Sequence, residues 1–171
     1  MEGIVCMIRT VATGKQSFEK IISSNCFYVD KTNFIKEWWE SEDDVTLITR
    51  PRRFGKTLNM EMLECFFSNQ YEKRGDLFEG LSIWEEEKYR VLQGTYPVIS
   101  LSFANAKGSN YKDVKRILEQ EIRNLYSDFN FLWESEEVPE VDKKFADTIL
   151  KNPENAELVM SLHQLARVLY Q

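Results

Sequence analysis

The stretch Arg50-Pro51-Arg52-Arg53-Phe54-Gly55-Lys56-Thr57 constrains this chain more than any other. It follows Val45-Thr46-Leu47-Ile48-Thr49, a run rich in β-branched residues with no breaker, which reads as a strand. After it, Leu58, Met62, Cys65 and Phe66 fall at i, i+4, i+7 and i+8, the spacing of one face of a helix. Strand, tight loop and helix, in that order, are how a phosphate-binding P-loop is built. In such a loop the backbone N–H groups wrap phosphate oxygens, and the helix N-terminus adds partial positive charge. Gly55 would let the backbone approach an anion with no Cβ in the way. Lys56 would set its ammonium between the β- and γ-phosphates of a nucleotide, and Thr57 would offer its hydroxyl to Mg²⁺. The expected nucleotide-binding residues are Arg52, Arg53, Phe54, Gly55, Lys56, Thr57 and Leu58, with Thr57 as the metal residue.

The general motif, G-x-x-x-x-G-K-[ST], is broken at one place, because Arg50 stands where the first glycine belongs. Pro51 stiffens the same entrance. Charge compensates, since Arg50, Arg52 and Arg53 crowd three guanidinium groups near the expected anion. Arginine suits bidentate phosphate contact. A Gly-Lys-Thr tripeptide alone would be a weak signal; the flanking strand and helix patterns and the basic loop make it specific.

The 171 residues suffice for one domain with a sizeable core and leave little room for two. Hydrophobic residues make up 43% and charged residues 29%, which excludes a disordered chain. The net charge of −6 lacks the basic surplus of a nucleic-acid-binding module, so nucleic acid is not indicated as a partner. Cys6, Cys26 and Cys65 are an odd set with no C-x-x-C spacing and sit in apolar surroundings, which reads as buried reduced thiols. His163 is the single histidine and has no cysteine partner at ligand spacing, so no zinc site is expected. No apolar run approaches the ~20 residues that span a bilayer, and the short stretch Ile4 to Ile8 does not form a signal peptide. The expected location is the cytoplasm.

Further elements follow from periodicity. Helices are expected over Ser17 to Ser23, Asn33 to Glu40, Glu85 to Leu92, Tyr111 to Phe129, Val141 to Leu150 and Glu154 to the terminus. Asp30 or Thr32 is placed to cap the second of these. A second strand is expected over Tyr96 to Phe103, opened by Pro97. The last helical pattern runs into Tyr170-Gln171 without a polar tail, which reads as a cut and not a finish.

Three segments together resemble a bacterial family of predicted AAA-ATPase-like proteins. They are Phe27-Tyr28-Val29-Asp30-Lys31-Thr32, the run from Thr49 to Thr57, and Thr95 to Phe103; Leu77-Phe78-Glu79-Gly80-Leu81 looks like that family's intervening loop. The likeness covers about residue 15 to residue 171, and the arginine at position 50 is that family's habit. What the resemblance implies is an α/β P-loop NTPase fold of the additional-strand, AAA-like type, with a parallel sheet flanked by helices. It implies ATP with Mg²⁺ as cofactors, held mainly by Lys56 and Thr57. It leaves two readings of Asp30 and Lys31: a segment packed near the adenine, or a helix cap and a surface charge. Members of the family often continue into a nuclease-like C-terminal region.

Hydrolysis needs more than a phosphate cradle: a Walker-B acidic residue at the end of an apolar strand must help hold Mg²⁺. No apolar run followed by Asp-Glu occurs after residue 57, and the acidic clusters Glu85-Glu86-Glu87 and Glu134 to Glu140 read as solvated. Two strands also make a poor parallel sheet. The expectation is therefore residues 1–171 as the N-terminal portion of one ATPase domain, with the sheet incomplete. Such a chain would bind nucleotide and scarcely turn it over. The alternative is a nucleotide-sensing or scaffold module that never hydrolyses and completes its sheet with a partner, either a second copy or another protein.

Overall fold

A computed structural model describes residues 10–11, 14–51, 53–155 and 157–170. The readings placed on Cys6, on Ile4 to Ile8 and on Arg52 lie outside the described residues. The chain divides into two compact units, Met1–Val98 and Ile99–Gln171.

The first unit carries helices α1 (Phe18–Ser23), α2 (Asn33–Ser41), α3 (Lys56–Phe67) and α4 (Glu87–Arg90). Three 3-10 turns join them, at Asn69–Tyr71, Gly75–Leu77 and Ser82–Glu85. Ser17 caps α1 by accepting from the Lys20 N–H at 3.3 Å. Helix α3 buries Met62, Cys65 and Phe66 of the face its spacing foretells, and Phe67 beside them, with Leu58 partly buried. The core around it is aromatic. The Phe78 ring lies 5.4 Å from that of Phe18 and 5.1 Å from that of Phe66, and Trp39 stacks on Phe67 at 5.4 Å. Such pairs add to the burial of large apolar area. Gly94, at φ +71°, is fixed by a close approach: a Cβ there would meet the Glu72 Cα at 2.3 Å. Its N–H donates to the Phe66 carbonyl at 2.8 Å, so the turn after α4 is tied to the end of α3.

The second unit is built from α5 (Tyr111–Asp128), α6 (Asn130–Glu134), α7 (Glu140–Lys151) and α8 (Leu158–Tyr170). Asn110 caps α5, accepting from the Asp113 N–H at 3.0 Å. Ile122, Leu125, Tyr126, Phe129, Ala146, Ile149 and Leu165 form its core. Asp142 is buried inside this unit, 1% exposed, and pairs with the Arg167 Nη2 at 2.5 Å. Gln164 also donates to Asp142 Oδ1, while Oδ2 has no partner among the described residues.

The helices lie close to where periodicity put them, but the sheet does not form. Among the described residues there is no strand, and pairing is limited to two isolated parallel bridges, Val11 with Phe27 and Ser68 with Tyr96. The parallel-sheet α/β P-loop architecture expected from the sequence is therefore wrong for this structure, which is mainly helical. The reason is one of pairing. A strand is held by hydrogen bonds to a neighbour, and no backbone hydrogen bond joins residues 45–49 to another segment among the described residues. Val45 and Leu47 stand 86% and 82% exposed, so burial does not fix them either. In the second expected strand only the Tyr96 end pairs, its N–H donating to Phe67 O at 2.9 Å and its carbonyl accepting from the Asn69 N–H at 2.8 Å. Its β-propensity has no ladder to act on.

Candidate functional site

The 50–57 loop leads directly into α3. Its turn uses left-handed backbone twice, at Gly55 (φ +76°) and at Arg53 (φ +69°). A glycine takes that conformation freely; an arginine does so at a cost of about 1–3 kcal/mol. Strain of this kind is kept where the surrounding structure demands it. Gly55 is the residue before the first turn of α3 and offers no side-chain cap. The Asn59 N–H donates to Gly55 O at 2.9 Å, which closes the first helical bond. The N–H groups of Lys56, Thr57 and Leu58 find no acceptor among the described residues. These are the orphan donors of a helix start, gathered behind a glycine turn.

The ammonium of Lys56 folds back over the loop, donating to the carbonyl of Arg50 and to that of Pro51 at 3.3 Å. The remaining expected residues divide. Arg53 and Thr57 are exposed, and Phe54 is 62% exposed at the loop tip. The Leu58 side chain packs on the aromatic core, so only its N–H faces the loop. Arg52 lies outside the described residues. Among the described residues no group of three or more His, Cys, Asp or Glu is placed to hold a metal ion. The donor set nonetheless fits a polyphosphate: open N–H groups, a lysine whose partners are loop carbonyls, and a glycine where a Cβ would project.

Asp30 does not cap α2. Its Oδ1 accepts from the Thr32 N–H at 2.8 Å and from the Thr32 hydroxyl at 2.7 Å. Its Oδ2 accepts from the Ser82 N–H at 2.8 Å and from the Ser82 hydroxyl at 2.6 Å. Thr32, fully buried, accepts in turn from the Ile83 N–H at 3.1 Å and makes no side-chain cap on α2. Asp30 and Thr32 therefore clamp the 30–32 segment onto the turn at Ser82–Glu85. Burial alone would raise the Asp30 carboxyl, but the hydrogen bonds from Ser82 and Thr32 outweigh it and hold the group below its usual range.

Tyr28 adds a second anchor. Its hydroxyl donates to the Met62 Sδ at 3.3 Å, tying the segment to α3, and burial pushes the phenol up to about 12. Between these anchors lies Lys31. Its Nζ sits 3.6 Å from where a Cβ on Gly55 would stand. The sequence carried only the spacing of Tyr28, Asp30, Lys31 and Thr32, and nothing in that spacing says which loop Lys31 meets. Ser82, the far half of the clamp, carried no signal at all.

Elsewhere the described residues are chemically quiet. Cys26 and Cys65 are free and buried, and burial pushes the Cys65 thiol up to about 12, which makes it a poor nucleophile. No helix among the described residues is long and apolar enough to cross a membrane.

Comparison with curated proteins and with solved structures gives no match. Residues 12–165 match a protein family described as Predicted AAA-ATPase, a description that points to nucleotide binding in general. That match spans both units and includes the 50–57 loop and the Asp30 clamp, and on it the chain belongs to the AAA-ATPase-like family.

Proposed function

We propose that the first unit binds the phosphates of ATP at the 50–57 loop. The observation that carries this reading is the set of N–H groups on Lys56, Thr57 and Leu58 that find no acceptor among the described residues, lying behind a left-handed Gly55. Anions are favoured at such a helix start by about 0.3–1 kcal/mol from the dipole alone, and by more with direct hydrogen bonds. Lys56 would leave the carbonyls of Arg50 and Pro51 and take a phosphate oxygen, exchanging a neutral acceptor for a charged one. Arg53 lies exposed on the same turn and adds a guanidinium. Mg²⁺, when bound, would neutralise phosphate charge, with the Thr57 hydroxyl as its protein ligand.

The test is calorimetric titration of the full chain with Mg·ATP, set beside the Lys56→Ala variant. The expected result is saturable binding that weakens at least tenfold in the variant. Equal affinity in the two would refute the reading.

A further inference from the structure

We infer that Lys31 is a second phosphate-binding ammonium of the nucleotide site, delivered to the 50–57 loop by the Asp30–Thr32 clamp. This rests on the loop binding nucleotide phosphates as proposed above.

Three observations converge on it. The first is place: Lys31 Nζ lies 3.6 Å from the Cβ position of Gly55, on the glycine that heads α3. A lysine has four rotatable bonds and a strongly hydrated head, so an exposed one normally points into solvent. The second is support. The backbone on both sides of Lys31 is fixed, because Asp30 Oδ2 accepts from Ser82, the Thr32 hydroxyl accepts from the Ile83 N–H, and Asp30 Oδ1 ties the two residues together by accepting from Thr32. Tyr28, three residues earlier, is tied to Met62 on α3 itself. The base of the Lys31 side chain is thereby held relative to the helix start it reaches.

The third is charge. Lys31 makes no salt bridge among the described residues, and neither does Lys56 or Arg53. Cations at one glycine turn with no carboxylate paired to them among the described residues repel one another. An anion placed between them removes that repulsion and gains a charge-assisted hydrogen bond from each. The occupant that fits is a polyphosphate, which carries several negative oxygens along its length and can meet Lys31 and Lys56 together. Adenine fits less well: its ring nitrogens accept hydrogen bonds but carry no charge, whereas a phosphate oxygen gives the ammonium a charge-assisted one.

Two probes separate the possibilities, ATP and inorganic tripolyphosphate, which has the phosphates without the base. Each is titrated into the unaltered chain, Lys31→Gln, Lys31→Arg and Lys56→Ala, with circular dichroism confirming the fold. Lys31 is exposed, so its substitution leaves the core intact. The expected result is about a tenfold loss for both probes in Lys31→Gln, with Lys31→Arg recovering most of it. Unchanged affinity in Lys31→Gln alongside loss in Lys56→Ala would overturn this inference and leave the loop reading standing. A loss for ATP without a loss for tripolyphosphate would place Lys31 at the base or ribose and also overturn it. No binding by the unaltered chain, or binding that Lys56→Ala leaves intact, would overturn the loop reading and this inference with it.

Discussion

In the first unit the core is filled by aromatic rings from short helices and turns, with Phe18, Phe66, Phe78 and Tyr89 all essentially inaccessible. In the second unit it is filled along three helices of 12 to 18 residues by a mostly aliphatic stripe, with one buried carboxylate paired to Arg167. Isolated helices of four to nine residues, such as α1, α2 and α4, are unstable in water. The first unit is therefore held by side-chain contact between distant segments, and it can keep its loops in conformations that regular helix would not allow. The second unit needs no such arrangement. The unit with irregular backbone is the one that carries left-handed Arg53 and Gly55, helix-start N–H groups with no acceptor among the described residues, and the Asp30 clamp. Binding groups are commonly placed this way, on loops positioned by a packed scaffold.

This contrast can be broken first at Phe66. The Phe66→Ala variant should lose about 3–5 kcal/mol in urea unfolding, and nucleotide affinity should fall with the fold of the first unit. A loss below about 1 kcal/mol would mean that the aromatic contacts do not hold the unit.

The next effect belongs to the second unit. Arg167→Ala leaves the Asp142 carboxylate buried and short of a cation, and should cost about 3 kcal/mol. Asp142→Ala should cost less, because Arg167 is 42% exposed and its guanidinium can turn to water. Neither change should alter nucleotide affinity in the folded protein. The reverse order in urea midpoints would contradict this account of the pair.

The smallest expected effect is at the clamp. Asp30→Asn presents an amide to donors that need an acceptor, and should cost about 1–2 kcal/mol. Its pH dependence has a definite sign. The folded carboxyl is held below its usual value, so its contribution is intact above about pH 4 and is lost as pH falls through the lowered folded value. The unaltered chain should lose this increment on acidification below about pH 4, and Asp30→Asn should not. Identical acid profiles for the two would remove Asp30 from the ledger of stabilising groups.

How much of this was legible in the sequence depends on the range of the interaction. The stripe of Val114, Ile117, Leu118, Ile122 and Leu125 gave α5 to within a residue, since helix hydrogen bonds are local and the buried face repeats every turn. The glycine-lysine-threonine turn was found for the same reason, since its parts are adjacent. The run Val45 to Thr49 misled, because β-propensity describes a residue's fitness for a ladder and not the presence of a neighbouring strand. The clamp from Asp30 to Ser82 joins residues 52 apart, and nothing at either end announces the other. Asp30 and Thr32 both offer a local cap to α2, since capping is the local use of such residues, whereas here the Thr32 hydroxyl serves the distant Ile83 N–H and Asp30 serves Ser82.

We propose that the first unit holds nucleotide phosphate on the N–H groups heading α3. Amide proton–nitrogen NMR spectra of the ¹⁵N-labelled chain, recorded across a Mg·ATP titration, test it directly. The largest shifts are expected at the amides of Gly55, Lys56, Thr57 and Leu58, with smaller ones at Lys31 and none along α5, α7 and α8. Shifts concentrated in the second unit, or none at the head of α3 at saturating nucleotide, would contradict it.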